Sequence, residues 1–230
     1  MITPNLIWIF TISAIGIMAV TIAVLLFVNS AFRNKEFSPL RNFPFEFLKD
    51  SEKSVPVFKP LLYILTGLSF ASLFVITPLI SEFGDLGFLT ILITCVFGLT
   101  AICNCLLFFF DARYTKTHMI LVTVAMSLTL LANALATLLS VLVYKNYMET
   151  ATQHPISLVC AVVSGLLAIS MLALAVNPKL KNWTKLEEHD NPDGEKSYSR
   201  GKVFILALTE WLTLCLSVLG EIIFLISLLK

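Results

Sequence analysis

Charge is scarce in this chain of 230 residues: Asp, Glu, Lys and Arg together make up only 13% of it. A soluble domain carries about 25%, so there are too few charged side chains to coat a globule in water. The net charge of +1 also lacks the concentrated basic surface that nucleic-acid phosphates require, which excludes that class of partner. Catalytic signatures are missing too. The chain has no P-loop, no H-E-x-x-H, no G-x-S-x-G and no dinucleotide fingerprint, so it implies neither a cofactor nor familiar soluble catalytic machinery. Before the first apolar run stand only Met1, Ile2, Thr3, Pro4 and Asn5. Without a basic n-region, that run reads as a membrane helix that stays in place, not as a cleavable signal.

The five cysteines offer no disulfide framework or metal site. Cys95, Cys103, Cys105, Cys160 and Cys215 all fall within apolar runs, where cysteine behaves as a small hydrophobe. Cys103 and Cys105 form a C-x-C, but two helical positions apart their side chains diverge by about 200° and cannot readily share one ion.

What the chain does have is hydrophobic length. Apolar residues make up 57% of it, and the mean hydropathy is +0.88. Six runs stand out, over residues 6–28, 61–80, 88–110, 119–143, 156–176 and 203–229. Each reaches the roughly 20 residues needed to cross about 30 Å of hydrocarbon as a helix. A helix satisfies its own backbone in lipid, a lone strand does not, and the alternation of a membrane barrel is absent. The expected fold is therefore all-α, a single polytopic bundle of six spans. Pro60, Pro155 and Pro178 fall at or beyond span ends, where a missing N–H costs little, while Pro78 falls in the last turn of the second span and could kink it.

The loops at 29–60 and 177–202 are long and polar; the other three are short. That pattern is compatible with two inverted three-helix halves, a common transporter plan. Of 16 Lys and Arg, all but Lys145 and Lys230 fall in the first, third and fifth loops, a strong positive-inside signal. It places those loops in the cytoplasm and both termini outside. The fifth loop is mixed in charge and reads as solvated. It also contains the glycosylation sequon Asn182-Trp183-Thr184.

Ionisable groups within membrane spans are expensive and therefore informative. There are two, Glu210 and Glu221, both in the last span. Eleven residues apart, they return to nearly one helix face, about 16 Å apart along the axis. Thr213, Ser217 and Gly220 continue that stripe, which should face the bundle interior. It could line a polar path, a cation site or a headgroup pocket; equally, Glu210 could reach the interface and Glu221 bond between helices. With no Lys or Arg in the spans, any partner must be a hydroxyl, an amide, a loop cation or a ligand. A second stripe in the fourth span holds Thr129, Asn133, Thr137 and Ser140 beside Ala132 and Ala136, residues that commonly join helices in lipid. Asn104 in the third span could join a polar centre. Ser157, Ala161 and Gly165 form a small-residue seam on the fifth span, open to close approach by another helix or a membrane-protein partner. At the third loop Asp111, Arg113, Lys116 and His118 cluster at the membrane boundary, able to bind an anionic headgroup or form an acid–base pair.

Several short stretches together resemble the Frag/DRAM/Sfk group of six-span eukaryotic membrane proteins, which includes the damage-regulated autophagy modulators. Asn191-Pro192-Asp193-Gly194-Glu195-Lys196-Ser197-Tyr198 resembles that group's N-P-x-x-K-x-Y stretch before the last helix. Glu210-Trp211 resembles its Glu-Trp pair, and Gly98, Phe109 and His118 resemble its helix-three glycine, the closing Phe and the His that opens helix four. Asp50 and Pro56 echo an Asp and a Pro of the first loop, although the I-S-D-x-G core is missing and the second loop is shorter than usual. The resemblance implies lipid handling, with members linked to autophagy, GPI-anchor lipid remodelling and phospholipid organisation. It also implies cytoplasmic termini, opposite to the charge count. The expected role is recognition or organisation of membrane lipid without demonstrable catalysis. The alternatives are a small transporter or channel subunit with a carboxylate-lined path, and an intramembrane lipid-modifying enzyme using Asp111, His118 or Glu210.

Overall fold

The computed structural model describes residues 38–46, 86–110, 115–149, 155–182, 187–190, 196–199 and 203–227. Four helices dominate them: α1 (Gly87–Leu107), α2 (Thr115–Glu149), α3 (Pro155–Ala175) and α4 (Ile205–Ser227). All four are long and apolar enough to cross a bilayer, as expected for the third to sixth spans. This is a multi-pass integral membrane protein. The first two expected spans, with Pro60 and Pro78, lie outside the described residues.

The helices alternate in direction, and paired residues show it. Along α4, residues Trp211, Ser217 and Phe224 meet Phe108, Asn104 and Phe97 of α1. One series rises as the other falls, so these two helices are antiparallel. His118 meets Glu210, and Asn133 lies against Gly220, so α2 and α4 run parallel. Both α2 and α4 pack against every other described helix. The chain buries half of the α4 span but only 22% of the α3 span, leaving Val159, Val162, Leu166 and Ile169 of α3 exposed as surface suited to lipid tails.

Why α2 is central follows from its side chains. Val122, Ala125, Met126, Thr129, Ala132, Asn133, Ala136, Leu139, Ser140 and Val143 are all buried. They recur every three or four residues, the period of one helix face. Alanines along that face bring neighbouring backbones close, which is how helices gain packing energy where lipid is as apolar as the core. The seam on α3 is used in the same way: Ser157, Ala161 and Ser164 are buried, and a Cβ on Gly165 would lie 3.6 Å from Thr137. The small-residue seam therefore meets α2 within the chain. Thr137 Oγ1 also donates to Ser164 Oγ at 3.0 Å across the same contact.

Three expectations need correction. Residues 144–149, read as loop, continue α2; no glycine or proline interrupts the chain before Pro155, and a helix need not stop at the membrane face. The resulting 35 residues extend about 50 Å. Second, the fifth loop is not wholly irregular. Residues 178–182 form a 3₁₀ turn, and β1 (Glu187–Asp190) pairs antiparallel with β2 (Lys196–Ser199). The register sets Asp190 opposite Lys196 and Glu188 opposite Tyr198. This hairpin is the exception to the helical architecture among the described residues. Third, the first loop, read as long and polar, has an apolar part that is not at the surface: Phe43, Pro44 and Phe45 are buried against the helix bundle.

Candidate functional site

The buried core divides into two apolar clusters along the bundle axis. One gathers Phe43, Phe45, Leu107, Val122, Met126, Met171 and Phe204, near the end where α1 finishes and α2 and α4 begin. The other gathers Phe97, Ala132, Ala136, Leu139, Phe224 and Leu225 toward the far end. Polar side chains occupy two places relative to these clusters: a pair inside the first, and a layer between the two.

The pair is His118 with Glu210. Nε2 of His118 lies 2.9 Å from Oε1 of Glu210, joining residues 92 positions apart. Nδ1 lies 3.0 Å from the Phe110 carbonyl. A carbonyl can only accept, so Nδ1 must carry a proton and donate it. One further proton is then shared between Nε2 and Oε1: either imidazolium donates to carboxylate, or the carboxylic acid donates to neutral imidazole. Both arrangements are neutral overall. The pair is almost completely hidden, with His118 2% and Glu210 0% exposed.

What hides it is the segment 38–46. The rings of Phe43 and Phe45 stack on each other and each meets the His118 ring edge-on, with centroids 5.7 and 5.6 Å away. Local chemistry shapes this plug. Glu46 accepts the Phe43 N–H at 3.0 Å, the reciprocal contact of a capping box, and Pro44 takes the first helical position, where its fixed φ fits. The Ser38 N–H donates to Asn42 Oδ1 at 3.1 Å to close the preceding turn. Two bonds dock the segment onto α4: Trp211 Nε1–H donates to the Asn42 carbonyl at 2.8 Å, and the Phe204 N–H donates to the Leu40 carbonyl at 2.7 Å. The segment 38–46 thus sits at the end of the bundle where α2 and α4 begin.

The polar layer involves α1, α2 and α4. Asn104 Nδ2 donates to Ser217 Oγ at 2.5 Å. Asn133 Nδ2 donates to the Thr129 carbonyl at 2.9 Å, and its Oδ1 lies where a side chain on Gly220 would stand. Thr213 donates to the Thr209 carbonyl at 2.8 Å and touches Met171 Sδ at 3.9 Å. Glu221 is buried. The whole predicted stripe of Glu210, Thr213, Ser217, Gly220 and Glu221 is indeed the inner face of α4. Glu210 is closed off inside the chain, and its partner is the imidazole of His118, from the third-loop cluster. Of the boundary cluster, His118 turns inward, Lys116 is exposed, and Asp111 and Arg113 lie outside the described residues. No group of three metal-ligating residues occurs among the described residues.

No family model, curated protein or solved structure matches this chain. Sequence reasoning missed the plug, although Phe43-Pro44-Phe45-Glu46-Phe47 is an apolar run in a polar loop and could have been read as a docking segment. The hairpin also had a signal in Asn191-Pro192-Asp193-Gly194, a run of turn-forming residues.

Proposed function

We propose that this protein is a six-span membrane protein that recognises and organises lipid without catalysing its turnover. The observation that carries this reading is the closure of the His118–Glu210 pair beneath Phe43 and Phe45. A general acid or base must come within hydrogen-bond reach of the group it serves, and among the described residues this pair bonds to the Phe110 carbonyl and to itself beneath two aromatic rings. Its effect is to hold three helix ends and a loop in one shape. The protein then offers its surroundings the apolar outer face of α3 and the charged loops beside it. The likeness to the Frag/DRAM/Sfk group points toward lipid as well. Native mass spectrometry tests the reading: wild-type protein extracted gently should retain a phospholipid, and His118→Ala or Glu210→Ala should release it by loosening the junction. Wild-type protein that carries no lipid under conditions preserving its fold refutes the proposal.

A small transporter is the second reading, favoured by one observation. Glu210 Oε2, Asn104 Oδ1 and Asn133 Oδ1 are buried without a hydrogen-bond partner among the described residues, strung along the inner face of α4. On that reading Glu221→Gln abolishes proton- or ion-coupled uptake into proteoliposomes, and wild-type vesicles that move no solute end it. For orientation, the charge distribution supports cytoplasmic odd-numbered loops with both termini outside. Glycosylation at Asn182, with none at a sequon engineered beside Glu149, would reverse that assignment.

A further inference from the structure

Oε2 of Glu210 decides where the proton of the buried pair lies. It has no hydrogen-bond partner among the described residues, and the residue that carries it is 0% exposed. Its companion Oε1 meets Nε2 of His118 at 2.9 Å, while Nδ1 of the same ring donates to the Phe110 carbonyl. The two neutral arrangements therefore differ in what they leave at Oε2. With imidazolium and carboxylate, Oε2 shares a full negative charge that nothing there solvates. A buried ion pair is favourable only when further hydrogen bonds satisfy the remaining lone pairs. With carboxylic acid and neutral imidazole, Oε1 donates its proton to Nε2 and Oε2 is a carbonyl oxygen. An unpartnered neutral acceptor costs less than an unpartnered charge.

The surroundings favour the same arrangement. Neither α1 nor α3 contains an Asp, Glu, Lys or Arg. The charged residues of the other described elements at this end are Lys116 on α2, Lys179 and Lys181 on the 3₁₀ turn, and Arg41 and Glu46 on the segment 38–46. Lys116 is exposed, and the Glu46 carboxylate acts against negative charge on Glu210. The rings that keep water from the pair are Phe43 and Phe45, and both belong to a segment shaped by its own contacts, from Glu46 to the Phe43 N–H and from the Ser38 N–H to Asn42. Bonds from Trp211 and Phe204 to its carbonyls hold it on α4, so it can lift as a unit.

We propose that segment 38–46 is a strap whose docking sets the position of this proton. Docked, it leaves Glu210 a neutral carboxylic acid. Lifted, it admits water to the pair, and the proton passes from Oε1 of Glu210 to Nε2 of His118, because imidazole is the stronger base of the two in water. One O–H bond breaks, one N–H bond forms, and the net charge does not change. By linkage, the proton's position and the strap's docking bias each other equally. The proposal stands whether or not the protein retains lipid.

Nitrogen NMR of the full chain in nanodiscs, with isotope-labelled histidine, reads the proton directly. The chain has three histidines, and the His118 signals are identified by their loss in His118→Gln. At neutral pH the wild-type Nδ1 should carry a proton and Nε2 should give the signal of a bare, accepting nitrogen. Glu210→Gln should leave that signal nearly in place, since its amide also donates to Nε2. Phe43→Ala with Phe45→Ala should shift Nε2 to the protonated position; if the double variant does not fold, Phe45→Ala alone should shift the signal in the same direction. A protonated Nε2 in wild type that becomes bare in Glu210→Gln overturns the proposal, because a bound water would then satisfy Oε2. An Nε2 that stays bare in a folded strap variant overturns it as well, by separating the proton from the strap.

Discussion

Removing Glu210 in two different ways tests whether the membrane-boundary junction is held by the shared proton described above. In Glu210→Gln the carboxamide keeps the shape of the acid and can donate from its nitrogen to His118 Nε2, reproducing the neutral arrangement. The other oxygen, already without a partner among the described residues, stays as it was. The expected cost is at most about 1 kcal/mol, the net worth of an ordinary hydrogen bond. Glu210→Ala is a different matter. It leaves Nε2 of a 2%-exposed imidazole facing an empty space and removes the packing of a fully buried side chain. An orphaned buried polar group costs about 1–3 kcal/mol and a cavity adds to that, so about 3–5 kcal/mol is expected, the range found on breaking buried pairs. The two variants then differ by at least about 2 kcal/mol, and at roughly 2–4 °C per kcal/mol for a chain of this size Glu210→Ala should melt at least about 4 °C below Glu210→Gln. Thermal-shift size-exclusion chromatography in mild detergent measures the difference. His118→Ala combined with Glu210→Ala should cost clearly less than the two single changes added, because each already destroys the same interaction. Equal melting temperatures for the Ala and Gln variants, or strict additivity, would show that the pair does not hold the junction.

Other contacts yield further outcomes. Gly220→Ala should destabilise by about 1–3 kcal/mol, the usual penalty for overpacking, since its Cβ would collide with the Asn133 carboxamide; adding Asn133→Ala should recover most of the loss in the same melting assay. Gly165→Ala should stay within about 0.5 kcal/mol of wild type, because its Cβ would meet Thr137 at an ordinary 3.6 Å. Trp211→Phe removes the 2.8 Å bond to the Asn42 carbonyl while keeping much of the ring. Hydrogen exchange across residues 38–46 should rise by about fivefold, matching the loss of about 1 kcal/mol, with α2 unaffected. Lipid-soluble maleimide should label Cys95 and Cys215, which are exposed, well before buried Cys160; faster labelling of Cys160 would contradict the packing of α3 on α2.

The four described helices that are long and apolar enough to cross a bilayer could be read from residues alone, because that decision depends on local quantities: length, apolarity and internal backbone bonding. The inner face of α4 was legible for the same reason, since Glu210, Thr213, Ser217, Gly220 and Glu221 share a helical period. The inward face of α2 was legible through Asn133 and its alanines. Partnership was not. His118 and Glu210 lie 92 residues apart; alternation of spans makes α2 and α4 parallel, but nothing in the sequence says that the two helices touch with His118 and Glu210 facing each other. His118 looked like a boundary residue because its neighbours in sequence are charged. Only packing turned it inward, when α4 brought a carboxyl to Nε2 and Phe43 and Phe45 closed over the ring. Likewise Asn104 and Asn133 were visible as polar residues in apolar helices, but their unpartnered oxygens arise from where Ser217 and Gly220 stand on α4. Periodicity fixes which side of a helix is turned inward; what that side meets depends on how several helices pack together.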